Sequence, residues 1–329
     1  MNLLFIFYII LITIFLFLSY YLLIPYLQKL KFGQTVRELG PRNHQAKNGT
    51  PTLGGILIFN SFILTFISLL FVINKHHSLN FNLFNSLYLF IPLFGYYLIG
   101  LTDDLLIIWK KKNNGLNSNI KLILQLLISL IFYIFLINSN CDTTLNMFGF
   151  LVDIKYLYGL LIIIIFISST NATNLTDGLD GLLTICSIPI LIGYIIMSFI
   201  FHNQLALLLS LSLLIPLVVF LFFNFPKAKI FMGDTGSLFI GAFIALIPII
   251  LKSELILLIC GLPFIIETLS VIIQVSYYKI TKGKRIFKMA PYHHHLELCG
   301  LNDMKINIIF FVISSIGTII SLFLVGVYK

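Results

Sequence analysis

Residues Leu3–Ile24 read L-L-F-I-F-Y-I-I-L-I-T-I-F-L-F-L-S-Y-Y-L-L-I, an uncharged apolar run long enough to cross the hydrocarbon core of a bilayer as a helix. With no basic residue ahead of it and no small-residue cleavage site behind it, the run reads as a first transmembrane helix and not as a removed signal. Nine more apolar stretches follow, at residues 53–73, 86–108, 120–138, 155–170, 181–201, 204–223, 236–251, 254–278 and 306–327. Lipid offers backbone groups no hydrogen-bond partner, so the stretches must be helices or barrel strands, and none shows the residue-by-residue alternation of a barrel. The fold expected is an all-α integral membrane protein of about ten transmembrane helices, a single polytopic domain over residues 1–329.

Composition agrees. Of 329 residues, 59% are hydrophobic and 10% charged, whereas a soluble domain has about 45–50% and about 25%. The net charge of +9 would suggest a nucleic-acid partner in a soluble chain. Here the basic residues sort by loop. One side of a ten-span chain receives Lys29, Lys31, Arg37, Arg42, Lys47, Lys110, Lys111, Lys112, Lys121, Lys227, Lys229, Lys279, Lys282, Lys284, Arg285, Lys288 and Lys305, and the other only Lys75, Lys155, Lys252 and Lys329. That asymmetry makes the first side cytoplasmic and both termini external, and no nucleic-acid partner is expected. The cytoplasmic loops are then about 25–52, 109–121, 171–181, 224–236 and 279–305, and chemistry is expected on that face. Cys141, Cys186, Cys260 and Cys299 are far apart, with neither a disulfide framework nor zinc spacing.

Carboxylates are the informative minority, because each is costly inside a bilayer. Asp103 and Asp104 end the third stretch, Asp177 and Asp180 lie between the fifth and sixth, and Asp234 leads into the eighth. Carboxylates from three parts of the chain at one face suit a hard cation such as Mg²⁺, which takes oxygen ligands and phosphate. Helix capping is the competing explanation for a lone Asp177 or Asp234; it accounts less well for an adjacent pair. His293-His294-His295, within Lys288–Glu297, suits a soft-metal site, a donor cluster for phosphate, or a solvated loop. Adjacent imidazoles diverge on a regular backbone, which argues against one ion held by all three. Before the second stretch, Lys47 and Thr52 lie in a rigid Gly- and Pro-containing turn suited to a diphosphate. Asn171, Asn174, Asp177 and Asp180 recur every three residues and, if helical, form a slanting polar stripe suited to a uracil or ribose. Phe231, three residues before Asp234, is either a stacking platform or an interfacial anchor.

Five strings, R-E-x-G-P-x-x-H-x-x-K-x-G-T-P-T-x-G-G from Arg37, the Asp103-Asp104 pair, N-x-x-N-L-T-D-G-L-D-G from Asn171, F-M-G-D-T-G-S from Phe231 and M-A-P-x-H-H-H-x-E from Met289, occur in this order. Together they resemble the polyprenyl-phosphate hexose-1-phosphate transferase superfamily (glycosyltransferase family 4). The histidine string resembles its phospho-N-acetylmuramoyl-pentapeptide transferase branch. The resemblance implies a Mg²⁺-dependent enzyme of the bacterial cytoplasmic membrane, taking UDP-MurNAc-pentapeptide and undecaprenyl phosphate, and a homodimer. It implies Asp234 as chief Mg²⁺ ligand, Asp103 and Asp104 as further candidate ligands, and Asp103 as base or nucleophile. It also implies Lys47, Thr52, Asn174, Asp177, Asp180 and Phe231 around the uridine diphosphate, and His293, His294 and His295 near the phosphates, His294 among the catalytic set. Lys121 and Asn171 would be further polar members of the site, and Gln274 and Glu267 would support the pocket. Two departures stand out: Ile107 takes the place of the usual Lys in D-D-x-x-K, and in Asn224-Phe225-Pro226-Lys227-Ala228 the proline comes one position early. An N-acetylhexosamine-phosphate transferase and a polyprenyl-lipid or ion transporter are the alternatives. Transporter sites tend to lie at the midplane, unlike these carboxylates.

Overall fold

The computed structural model describes residues 3–29, 50–76, 84–110, 115–139 and 141–328. In chain order the helices are α1 (Leu3–Lys29), α2 (Gly54–His76), α3 (Phe90–Lys110), α4 (Ser118–Asn138), α5 (Leu157–Thr176), α6 (Leu182–Ile200), α7 (Gln204–Asn224), α8 (Gly233–Ile250), α9 (Leu257–Cys260), α10 (Leu262–Ile280), α11 (Tyr292–Leu298) and α12 (Asp303–Tyr328). Nine spans among the described residues are long and apolar enough to cross a membrane, and a tenth is broken. The chain is therefore a multi-pass membrane protein.

The broken span corrects the expectation of one continuous helix over 254–278. Glu254–Cys260 and Leu262–Ile280 meet at 77°. Gly261 sits at the break, where a Cβ would come 2.6 Å from the Leu257 carbonyl oxygen, and Pro263 falls in the first turn of α10, where its missing N–H costs nothing. A short ribbon lies between α4 and α5. Strands β1 (Thr144–Met147) and β2 (Phe150–Asp153) form an antiparallel ribbon pairing Thr144 with Asp153 and Met147 with Phe150. Its turn places Phe148 and Gly149 at positive φ.

The core is organised around α8, in which every residue from Thr235 to Ile249 is buried. It packs against α2, α3 and α5. Between apolar helices in lipid there is little hydrophobic drive, so close approach through small residues carries the packing. At Gly241 an added Cβ would lie 2.3 Å from Thr173 Oγ1 and 2.6 Å from Thr170 Cα on α5. Large apolar side chains on the outer faces of α1, α4, α10 and α12 are exposed and supply the lipid-facing belt.

Gly241→Leu is expected to lower stability by about 1–3 kcal/mol through overpacking, while Gly326→Leu, with nothing within 4 Å of the added Cβ, leaves it unchanged. Thermal denaturation of both variants in the same detergent checks this.

Candidate active site

The site is built at one end of the bundle, where α3 and α5 finish and α4 and α8 begin. Three backbone hydrogen bonds bring residues 51–55 beside the segment leading into α8: Phe231 N to Pro51 O at 2.8 Å, Gly54 N to Phe231 O at 2.9 Å and Gly55 N to Met232 O at 2.8 Å. Added Cβ atoms at Gly55 and Gly100 would lie 2.2 Å from Gly236 N and from Asp234 O. The first turn of α8 is thus held backbone to backbone by α2 and α3.

That turn has N–H groups without intrahelical partners, and Asp104 on α3 satisfies two of them. Its Oδ1 accepts from Asp234 N at 3.1 Å, and its Oδ2 accepts from Thr235 N at 2.9 Å and Thr235 Oγ1 at 2.5 Å. Asp104 therefore caps α8 from a neighbouring helix, and it is only 1% exposed. Asp103 Oδ1 accepts from Leu116 N at 2.7 Å, and an added Cβ at Gly115 would lie 2.6 Å from both Asp103 carboxylate oxygens. Asp234 accepts from Asn174 Nδ2 at 2.8 Å and from the Lys121 ammonium. Its side chain, 27% exposed, is the most open of the three.

One carboxylate oxygen from each of Asp103, Asp104 and Asp234 lies within 4.8 Å of the others, the one cluster of three or more potential metal-ligating side chains among the described residues. Three carboxylates against the single Lys121 ammonium leave an excess of negative charge on hard oxygen donors. That donor set suits a small divalent cation better than a soft one.

Around the cluster the expected residues take different positions. Asp177 caps the end of α5, and its carboxyl is held well above the usual carboxylate range by withdrawal from water and by Asp234, Asp104 and Asp180. The stripe from Asn171 to Asp180 is not one helix, because α5 stops at Thr176 and the chain turns through Gly178 and Gly181, the latter at φ 78. Loop 171–181 is accordingly shorter than expected, as is loop 224–236, because α8 begins at Gly233. Asn171 turns toward α4, donating to Gln125 Oε1 at 3.1 Å. Asp180 lies in the turn and accepts from Ala228 N at 3.0 Å, holding the segment before Phe231. Phe231 is partly buried beside α8, and the hydroxyl of fully buried Thr52 has no partner. Lys47 lies outside the described residues.

The three histidines of α11 point three ways. His293 Nδ1 meets Glu267 Oε2 of α10 at 3.0 Å, and its Nε2 packs where a Cβ on Gly178 would lie at 2.3 Å. His294 Nδ1 meets Glu297 Oε2 at 2.6 Å. His295 Nδ1 accepts from Lys288 N at 3.1 Å. Gln274 accepts from Ile286 N and Phe287 N at 3.1 and 2.9 Å and donates to Phe287 O at 3.1 Å, so its amide anchors the segment leading to α11.

Sequence reasoning missed Asn224, Thr235 and Gln125. Buried Asn224 donates to Ile230 O at 2.9 Å and accepts from Thr184 Oγ1 at 3.3 Å, shaping the approach to α8. The available signal was an amide closing an apolar run. Gln125 lies one helical turn beyond Lys121 on α4, an i,i+4 spacing that marks a common face.

A profile of glycosyl transferase family 4 matches residues 86–252. Among curated proteins, the phospho-N-acetylmuramoyl-pentapeptide transferase of Oceanobacillus iheyensis is 41% identical over 304 residues, covering 92% of this chain and 91% of the relative. Those of Bacillus cytotoxicus and Staphylococcus aureus are 42% and 39% identical, each over 93% of this chain and over 93% and 94% of their own lengths.

Asp104→Ala removes the acceptor from two buried N–H groups and is expected to destabilise the protein by about 1–3 kcal/mol. Asp234→Ala leaves the cap in place and is expected to shift the thermal midpoint less; denaturation in one detergent compares the two.

Proposed function

Because the chain belongs to the phospho-N-acetylmuramoyl-pentapeptide transferases, within glycosyl transferase family 4, we propose that it moves phospho-N-acetylmuramoyl-pentapeptide from UDP-MurNAc-pentapeptide to undecaprenyl phosphate. The products are undecaprenyl-diphospho-MurNAc-pentapeptide and UMP. The observation that carries this reading is the meeting of Asp103, Asp104 and Asp234 with Lys121 at one end of a membrane-spanning bundle. A soluble donor and a lipid-borne acceptor meet only at a bilayer surface, and their reaction brings two anions together.

Asp234 is the chief Mg²⁺ ligand in this proposal, with Asp103 and Asp104 contributing. The bound ion supplies electrostatic stabilisation of the diphosphate and the developing phosphoryl charge. Asp103 orients the lipid phosphate and accepts any proton it carries. An oxygen of that phosphate forms a bond to the sugar-bearing phosphorus. The bond from this phosphorus to the bridging oxygen breaks in line, and UMP departs with that oxygen. Lys121 holds phosphate oxygens; Lys47, Thr52, Asn174, Asp177 and Phe231 hold the uridine diphosphate. The segment with His293, His294 and His295 lies near the phosphates, while Asn171, Asp180 and Gln274 keep the surrounding turns in place. The positive-inside asymmetry supports a cytoplasmic site with both termini external, in the bacterial inner membrane. The homodimer rests on the family resemblance alone.

Purified protein in detergent, given UDP-MurNAc-pentapeptide, undecaprenyl phosphate and Mg²⁺, is expected to release UMP, and to release little with UDP-N-acetylglucosamine. No UMP from the muramoyl donor would reject the reading, and transport of lipid in proteoliposomes without UMP would replace it. Asp234→Ala is expected to cut turnover by about 10²–10³-fold or more while the protein stays folded. A phosphosugar-enzyme adduct trapped in the absence of lipid would overturn direct displacement.

A further inference from the structure

The chain leaves α10 at Ile280 and returns to α11 through a turn that no part of the proposed chemistry uses. Residues 279–288 carry Lys279, Lys282, Lys284, Arg285 and Lys288, and no Asp or Glu occurs between Glu267 and Glu297. All five cations are exposed, and among the described residues none forms an ion pair. Lys282 and Gly283 adopt φ of 52 and 118, and Gly283 N donates to Tyr278 O at 3.0 Å, closing the turn back on the helix end.

The cations share this turn with exposed apolar side chains: Ile280 is 80% exposed, Ile286 50% and Tyr278 47%. The Arg285 guanidinium lies 6.0 Å from the Tyr278 ring centroid. The helix they hang from presents Ile272, Ile273 and Val275 on its exposed surface, as a lipid-facing segment does. A loop built only for water would intersperse carboxylates among the lysines and bury or omit the isoleucines. Lys121 shows the other arrangement, a cation turned onto the carboxylate cluster.

We propose that Lys279, Lys282, Lys284 and Arg285 form a docking surface for anionic phospholipid headgroups in the leaflet beside the candidate site. Tyr278, Ile280 and Ile286 sit at the acyl boundary beneath those headgroups. Clustered basic residues next to a transmembrane helix are attracted to an anionic leaflet, over a range limited by the Debye length. The return limb of the turn is tied to the site: Gln274 holds Ile286 and Phe287, and Lys288 N donates to His295 Nδ1. Headgroup contact therefore steadies the segment that carries the histidines.

The test places a reporter next to the turn. Full-length protein carrying Trp109→Phe and Tyr278→Trp is reconstituted into bilayers containing equal fractions of brominated phosphatidylcholine or brominated phosphatidylglycerol. The brominated anionic lipid is expected to quench the tryptophan at least about twofold more strongly than the neutral one. Raising NaCl to about 0.5 M is expected to remove that excess. So is the added set Lys279→Ser, Lys282→Ser, Lys284→Ser and Arg285→Ser, whereas replacing the three lysines by arginine preserves it. Equal quenching by the two lipids, or an excess that survives salt, overturns the proposal, and the salt arm leaves all four cations unchanged.

Discussion

The first turn of α8 is packed against α2 and α3 at one end of the bundle, and its buried N–H groups must find acceptors there. Asp104 of α3 provides both carboxylate oxygens to Asp234 N, Thr235 N and Thr235 Oγ1. This cap is possible only because Gly55 and Gly100 let α2 and α3 reach the backbone of α8. Asp234 then projects from a turn that cannot rotate or slide without breaking the cap. The same contact sets Asp104 next to Asp234, so the capping arrangement and the carboxylate cluster are one structure. Capping, which the sequence favoured for a lone Asp177 or Asp234 over the adjacent pair, is what Asp104 does.

Function follows from the charge this concentrates. Asp103, Asp104 and Asp234 face one ammonium, that of Lys121, and burial together with the charge of Asp234 and Asp104 raises the affinity of Asp177 for a proton. Repulsion of this kind is a cost that a divalent cation at the cluster would relieve. Around it, Glu267 fixes His293 and Gln274 fixes the limb before α11, so hydrogen bonds from α10 position the segment that carries the histidines.

Much of this was legible in the residues. Apolar run length located the spans, because lipid permits few alternatives, and carboxylates stood out because a membrane protein carries so few. What escaped notice depended on contacts distant in sequence or on local backbone geometry. The bend at Gly261 leaves hydropathy untouched, so 254–278 read as one helix. The ribbon of Thr144–Met147 and Phe150–Asp153 is too short for a period to emerge. The regular spacing of Asn171, Asn174, Asp177 and Asp180 suggested a stripe, yet Gly178 and Gly181 end the helix within it. Gln125 and Asn224 looked like ordinary polar residues in apolar helices until their partners, Asn171 and the Ile230 carbonyl, were brought to them.

If α3 and α8 together make one divalent-cation site, the site binds a metal ion before any substrate is present. Titrating the purified protein with Mn²⁺ and following free Mn²⁺ by electron paramagnetic resonance tests it without turnover. One saturable site per chain is expected, displaced by Mg²⁺ and lost in Asp234→Asn. Absence of saturable binding, or binding unchanged in Asp234→Asn, would contradict it.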